Sequence, residues 1–364
     1  MPLASFEPGR VLRAAGDFLR PAGWRGLTPD ERGLEGCLLF PRDKRVTSFD
    51  GTQIAYSVFG SRGPWVALVP GFCCPDNFWR YLLPELRKRY RVIVYDLRGL
   101  GLSGLPRRAG RRARSLSADD FTIENHVRDL EAVLDAERVK RAALLGHSMG
   151  GQIVLEAYRD FAEQISAVVF LTAPYESATR ALYGRDLDTA FRGLELAIRA
   201  LPRASVLLWR SLFLANPALT HRMAQVVRAL GASAKAEDMA TYYRHMAFLD
   251  PIVLMKMAHA MRAHSAADVV PTIDVPTLIV AGSADTFAPP RLAKAMHLAI
   301  PHSEIVFLEE GTHGAIIEFP EEVNRAVTSF LARHLARRRG RRPEGGAGPQ
   351  GRASGRRRSS AARR

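Results

Sequence analysis

Cysteine is scarce: there are three in 364 residues, at positions 37, 73 and 74. That is too few for a disulfide framework, and adjacent cysteines are poorly placed to bridge each other, so the thiols read as free in a reducing compartment. No apolar run approaches the roughly 20 residues of a transmembrane helix, and the N-terminus lacks the apolar core of a signal peptide. A cytoplasmic protein is therefore expected. Acidic residues are also short, 37 Asp and Glu against 52 Lys and Arg, for a formal net charge of +15. Eleven arginines against one glutamate in residues 337–364, with five more arginines in residues 107–114, account for the whole excess. The body of the chain is thus close to neutral, which argues against specific nucleic-acid binding by a folded basic face. No internal repeat is present.

What the chain does have is apolar content, 47% of its residues, enough for one large core. Residues 46–49 and 53–59 flank Asp50-Gly51-Thr52, a β-hairpin with a glycine-dependent turn. Strand and helix then alternate. Strand runs are predicted at 65–69, 92–95, 142–145, 167–171, 277–281 and 305–308, with helices at 77–89, 123–134 and 321–336. Such alternation implies a mostly parallel sheet covered on both faces. Residues 176–268 break the pattern, carrying only helical periodicity and many bulky residues, among them Trp209, Phe213, Tyr242 and Met246. This segment is expected to form a helical cap that splits the core into 45–175 and 269–336. Residues 1–44 form an N-terminal extension in which 8–20 have amphipathic spacing, suited to docking on the domain or lying on a membrane surface. The Arg-, Gly- and Ser-rich tail, 337–364, is expected to be disordered, with at most weak contact to an anionic surface.

Residues 142–155 read as a strand, a glycine-flanked serine and a helix, the context in which G-x-S-x-G becomes a nucleophile elbow. Gly146 and Gly150 leave the clearance that a sharp turn at Ser148 needs, and Gly151 extends it. Partners are sought beyond the carboxyl ends of the other strands, where open α/β sheets carry their sites. Asp285 follows the strand ending at 281, and His313 follows the strand ending at 308. His313 is the candidate base for the Ser148 hydroxyl, and Asp285 the group that fixes the imidazole tautomer. The N–H of Met149, at a helix start, and the N–H of Phe72, after Gly71, are the candidate oxyanion donors. His147 reads as a packing residue, Asp96 and Arg98 as pins for their own loop, and Asp76 and Asn77 as helix N-caps.

Together Pro70-Gly71, Asp96 to Gly104, Gly146 to Gly150, Asp285 with its following prolines, and Gly311-Thr312-His313 with Glu318-Phe319-Pro320 resemble the α/β-hydrolase fold superfamily over about residues 45 to 336. Pro70-Gly71 stands where that family often has His-Gly, and Leu100 where it often has His, which bears on subfamily alone. The resemblance implies an eight-stranded type of sheet flanked by helices, and a serine nucleophile, unlike the haloalkane dehalogenase and epoxide hydrolase branches with aspartate at the elbow. The expected activity is cleavage of a small or medium apolar carboxylic ester or lactone through an acyl-serine, with neither metal nor organic cofactor. C–C bond hydrolysis and cofactor-free perhydrolysis use the same triad and stay open. So does a ligand receptor or signalling role on the same fold.

Overall fold

The computed structural model describes residues 36–106, 116–176, 188–214 and 216–335. The expectations for residues 8–20, 107–114 and 337–364 lie outside these. Eight strands form one sheet: β1 Lys44–Thr47, β2 Gln53–Phe59, β3 Trp65–Val69, β4 Arg91–Tyr95, β5 Ala142–His147, β6 Ile165–Leu171, β7 Thr277–Gly282 and β8 Glu304–Leu308. Their spatial order is β1-β2-β4-β3-β5-β6-β7-β8, antiparallel from β1 to β4 and parallel from β4 onward. The crossovers supply α1 Leu82–Leu86, α2 Ile123–Ala136 and α3 Met149–Phe161.

Burial on both faces explains why the central strands are continuous apolar runs rather than alternating ones. Val66, Leu68, Ala143, Leu145 and Val169 pack on one face against Leu82, Leu83 and Leu86. Ala67, Val69, Leu144 and Phe170 pack on the other against Val127, Leu130, Ile153 and Val154. After β7 and β8 come α9 Pro290–Ala299, α10 Ala315–Glu318 and α11 Pro320–Leu335, numbered to follow the helices between β6 and β7. Those are α4 Asp188–Ala200, α5 Pro202–Leu214, α6 Pro217–Val226, α7 Ala236–Phe248 and α8 Pro251–Ala263. Glu176 and Ser265 form an antiparallel bridge where this helical insertion leaves and rejoins the sheet.

Three local expectations are corrected. The helix expected over 77–89 is a short 3-10 turn, Asp76–Trp79, followed by α1. A continuous helix would need the N–H of residue 84 to reach the carbonyl of residue 80. Proline has no N–H there and its ring collides with that carbonyl, so the helix restarts with Pro84 in its first turn. The hairpin's first strand covers 44–47, because Ser48 and Phe49 belong to the turn. Asp50 accepts the Thr52 N–H at 3.0 Å and Gly51 takes φ +85°, which fixes that turn. Asp76 does not cap a helix. Its buried carboxylate accepts the N–H groups of Leu39 and Phe40 at 3.0 and 2.8 Å. Asn77, also no cap, directs its amide at the Met239 sulfur, 3.7 Å away.

Arg42 then bridges Asp76 and Asp96 with its side chain 1% exposed, so the segment before β1 is bound into the core by charge. Asp96 pins its own loop as expected, accepting the Leu102 N–H at 2.9 Å. Arg98 reaches further: it makes a two-pronged 2.7 Å contact with Asp129 on α2 and a 2.9 Å contact with Asp50 in the hairpin turn. Removing one partner of such a buried pair costs about 3–5 kcal/mol, because the other charge is stranded in the core.

Candidate active site

Ser148 sits between β5 and α3 with φ +52° and ψ −124°, a conformation that an L-residue adopts only under constraint. The constraint is close packing. A Cβ on Gly146 would lie 2.5 Å from the Gly150 carbonyl oxygen, and one on Gly150 would lie 2.2 Å from that of Val69. Only hydrogen fits at either position, so strand, turn and helix close to the distance that lifts Ser148 above the sheet edge. The Ser148 N–H donates to the Leu171 carbonyl at 3.1 Å, anchoring the turn to β6.

His313 follows β8, and its Nε2 lies 2.8 Å from Ser148 Oγ. Asp285 follows β7, and its carboxylate oxygens lie 3.2 and 3.0 Å from His313 Nδ1. The same carboxylate accepts the N–H groups of Phe287 and Ala288 at 2.8 and 2.9 Å, so it is held by the backbone and buried. Because an ionised carboxylate only accepts, Nδ1 carries the imidazole proton and Nε2 is left to accept from the serine hydroxyl. The fold thus brings together three side chains that are 165 residues apart at the widest. Chemically, the arrangement can draw a proton off Ser148 as its oxygen attacks an electrophilic carbon.

Beside the serine lies the loop after β3. A Cβ on Gly71 would meet Ser148 Cβ and the His147 carbonyl oxygen, each at 2.9 Å, so this loop touches the elbow directly. The Cys74 N–H closes the turn onto the Gly71 carbonyl at 3.2 Å, with Cys73 at φ +58°. Among the described residues, neither the Phe72 nor the Met149 N–H donates to a carbonyl outside its own element. Burial drives the thiols of Cys73 and Cys74 well above the ordinary range, keeping them protonated and poor as nucleophiles.

His147 packs as expected. Its ring stacks on Phe78 at 4.7 Å between centroids, meets Trp79 edge-on at 6.2 Å and stands 5.6 Å from the His313 ring. Burial lowers its pKa to about 3, so it stays neutral beside the site. Phe287 covers His313 at 5.2 Å, and Tyr242 on α7 meets Phe78 edge-on at 5.7 Å, bringing the helical insertion over the elbow.

Glu318 was not singled out by its chemistry, yet it holds the histidine loop. Its carboxylate accepts the Thr312 N–H at 2.9 Å and the Thr312 hydroxyl, and on the insertion side the Gly231 N–H at 2.6 Å. Thr172 adds a 3.2 Å bond to the His313 carbonyl. In the sequence it stands out as part of Glu318-Phe319-Pro320, the run that carries the family resemblance, with no role attached to its carboxylate. No group of three or more His, Cys, Asp or Glu suited to a metal ion occurs among the described residues.

The sheet order, the elbow and the loops at the strand ends define a class. Residues 64–320 match the family model of the alpha/beta hydrolase fold, and the chain belongs to that family. The uncharacterized hydrolase YugF of Bacillus subtilis is 26% identical over 292 residues, covering 79% of this chain and 97% of its own. Two solved structures share the fold. The enol-lactonase of Burkholderia xenovorans LB400 has a TM-score of 0.58 at 21% identity, covering 79% of this chain and 100% of its own. An esterase from Exiguobacterium antarcticum has a TM-score of 0.61 at 22% identity, with 79% and 98% covered.

Proposed function

We propose that this protein is a serine hydrolase that cleaves small or medium, mostly apolar carboxylic esters or lactones through an acyl-Ser148 intermediate. The observation that carries the reading is the linked pair of contacts from Ser148 Oγ to His313 Nε2 at 2.8 Å and from His313 Nδ1 to Asp285 at 3.0 Å. In the reaction His313 takes the hydroxyl proton as Oγ bonds to the acyl carbon, and Asp285 stabilises the imidazolium so formed. The N–H groups of Phe72 and Met149 receive the carbonyl oxygen as it gains negative charge. Donors of this kind contribute about 3–4 kcal/mol each. His313 then hands its proton to the leaving alkoxide, and a water activated by the same imidazole releases the acid.

The apolar preference is supported by the partly buried rings of Phe72, Phe213, Tyr242 and Trp209, which pack where the helical insertion meets the core. Burial also holds the Tyr242 hydroxyl far above its ordinary pKa, so it serves as a neutral donor or an apolar wall and never as an anion.

A fluorophosphonate probe tests the nucleophile. It should label the wild type and leave Ser148→Ala unlabelled, and p-nitrophenyl esters of increasing chain length should turn over with an optimum set by the pocket. Well-folded wild type that neither reacts with the probe nor turns over any ester would overthrow the reading.

A further inference from the structure

Among the described residues, ten of the fourteen large hydrophobic side chains that stand exposed lie on α4, α5, α6 and the residues that end them. On α5 and α6 their spacing is that of a helix face. On α5 the exposed positions include Leu207, Leu208 and Leu212, while Trp209 and Phe213 point the other way, into the protein. Trp209 fixes that orientation by donating from Nε1 to the Met246 carbonyl at 2.7 Å. On α6 the exposed set is Leu219, Met223 and Val226, opposite the buried Thr220 and His221. A surface helix normally turns polar residues outward, and a helix apolar on both sides is built to be covered. α5 packs against both α4 and α6, so the exposed side chains belong to one group of packed helices.

Charge identifies the cover. Between residues 188 and 228 the sequence has six arginines against two acids, Asp188 and Glu195. Arg222 and Arg228 are exposed beside the apolar face, and Glu195 on α4 is half-buried. A second copy of the chain would bring these cations against each other. Residues 8–20, the amphipathic segment outside the described residues, carry three arginines against one aspartate and share the same sign. A surface that is anionic outside and apolar beneath is complementary to both features.

We infer that the outer face of α4, α5 and α6 docks on an anionic lipid bilayer, with the helices in the interface plane, leucines among the acyl chains and arginines at the phosphates. This goes beyond the hydrolase reading and does not depend on it, since Ser148→Ala should bind as the wild type does. No helix among the described residues is long and apolar enough to cross a membrane, so the contact is a surface one.

Vesicle flotation of the full chain tests it, with phosphatidylcholine alone or mixed with phosphatidylglycerol. The wild type should float with the anionic vesicles and far less with the neutral ones. The double variant Leu208→Glu with Val226→Glu should lose binding by about tenfold or more, since two apolar anchors become anions. Those side chains are 73% and 83% exposed, so ester turnover in solution should be unchanged. Three results would overturn the inference: a wild type that stays with the soluble fraction, a double variant that floats like the wild type, or a wild-type dimer that the double variant dissolves without any vesicle binding.

Discussion

Asp285→Asn is the sharpest perturbation of the proposed mechanism because it changes one proton and almost nothing else. Asp285 Oδ1 accepts the N–H groups of Phe287 and Ala288, and an asparagine carbonyl oxygen can take over both bonds. The amide nitrogen then occupies the Oδ2 position, 3.0 Å from His313 Nδ1. There it can only donate, so Nδ1 must become the acceptor and the imidazole proton moves to Nε2. That nitrogen, 2.8 Å from Ser148 Oγ, now presents a proton to the serine instead of a lone pair. The expected loss in kcat is about ten thousand-fold, which corresponds to about 5.4 kcal/mol of transition-state stabilisation. Because the backbone bonds persist, the melting temperature should move little. Steady-state turnover of a p-nitrophenyl ester with a parallel thermal melt measures both quantities. A folded variant within tenfold of the wild type would refute the role assigned to Asp285, and with it the tautomer argument.

Glu318→Ala removes the acceptor shared by Thr312 and Gly231, leaving two N–H donors unpaired at about 1–3 kcal/mol each. Chemical denaturation should report a loss of about 2–6 kcal/mol, and kcat should fall as the His313 loop loosens, while Glu318→Gln should recover part of both. Stability should also depend on pH through the buried histidines. Burial, ahead of any neighbouring charge, lowers His126 and His147 to about 3 and His245 to about 4. Their unfolded pKa is near 6.5, so the unfolded chain binds more protons in between. Their contribution is complete above about pH 6.5 and is lost progressively as pH falls toward 4. Denaturation midpoints across that range should decline, and His245→Asn should flatten the decline; an unchanged slope would show that His245 is solvated.

Much of the scaffold was legible because buried parallel strands are unbroken apolar runs. The turns bounding them carry glycine, proline or aspartate, whose backbone preferences are local. The candidate residues were legible for a related reason: Ser148, Asp285 and His313 each follow a strand, and an open α/β sheet has its site beyond those strand ends. Asp76 was misread because a residue preceding an apolar run looks like a cap. Its actual partners, Leu39 and Phe40, lie 37 and 36 positions away in sequence. Glu318 was visible only as part of the run Glu318-Phe319-Pro320 that carries the family resemblance, and its role was not legible because a carboxylate that binds backbone N–H groups leaves no pattern in residue types.

The sequence by itself determined the order of elements, the strained elbow and the chemical identity of its candidate partners, since these follow from local backbone preference and periodicity. Distances were beyond it. Tertiary packing alone set the 2.8 Å between Ser148 and His313, and placed Arg42 between two buried carboxylates. It also decided which side of each insertion helix faces outward. A helix with apolar residues all round has no preferred side in its own sequence. The preference comes from the surface it packs on, and here that leaves leucines facing out.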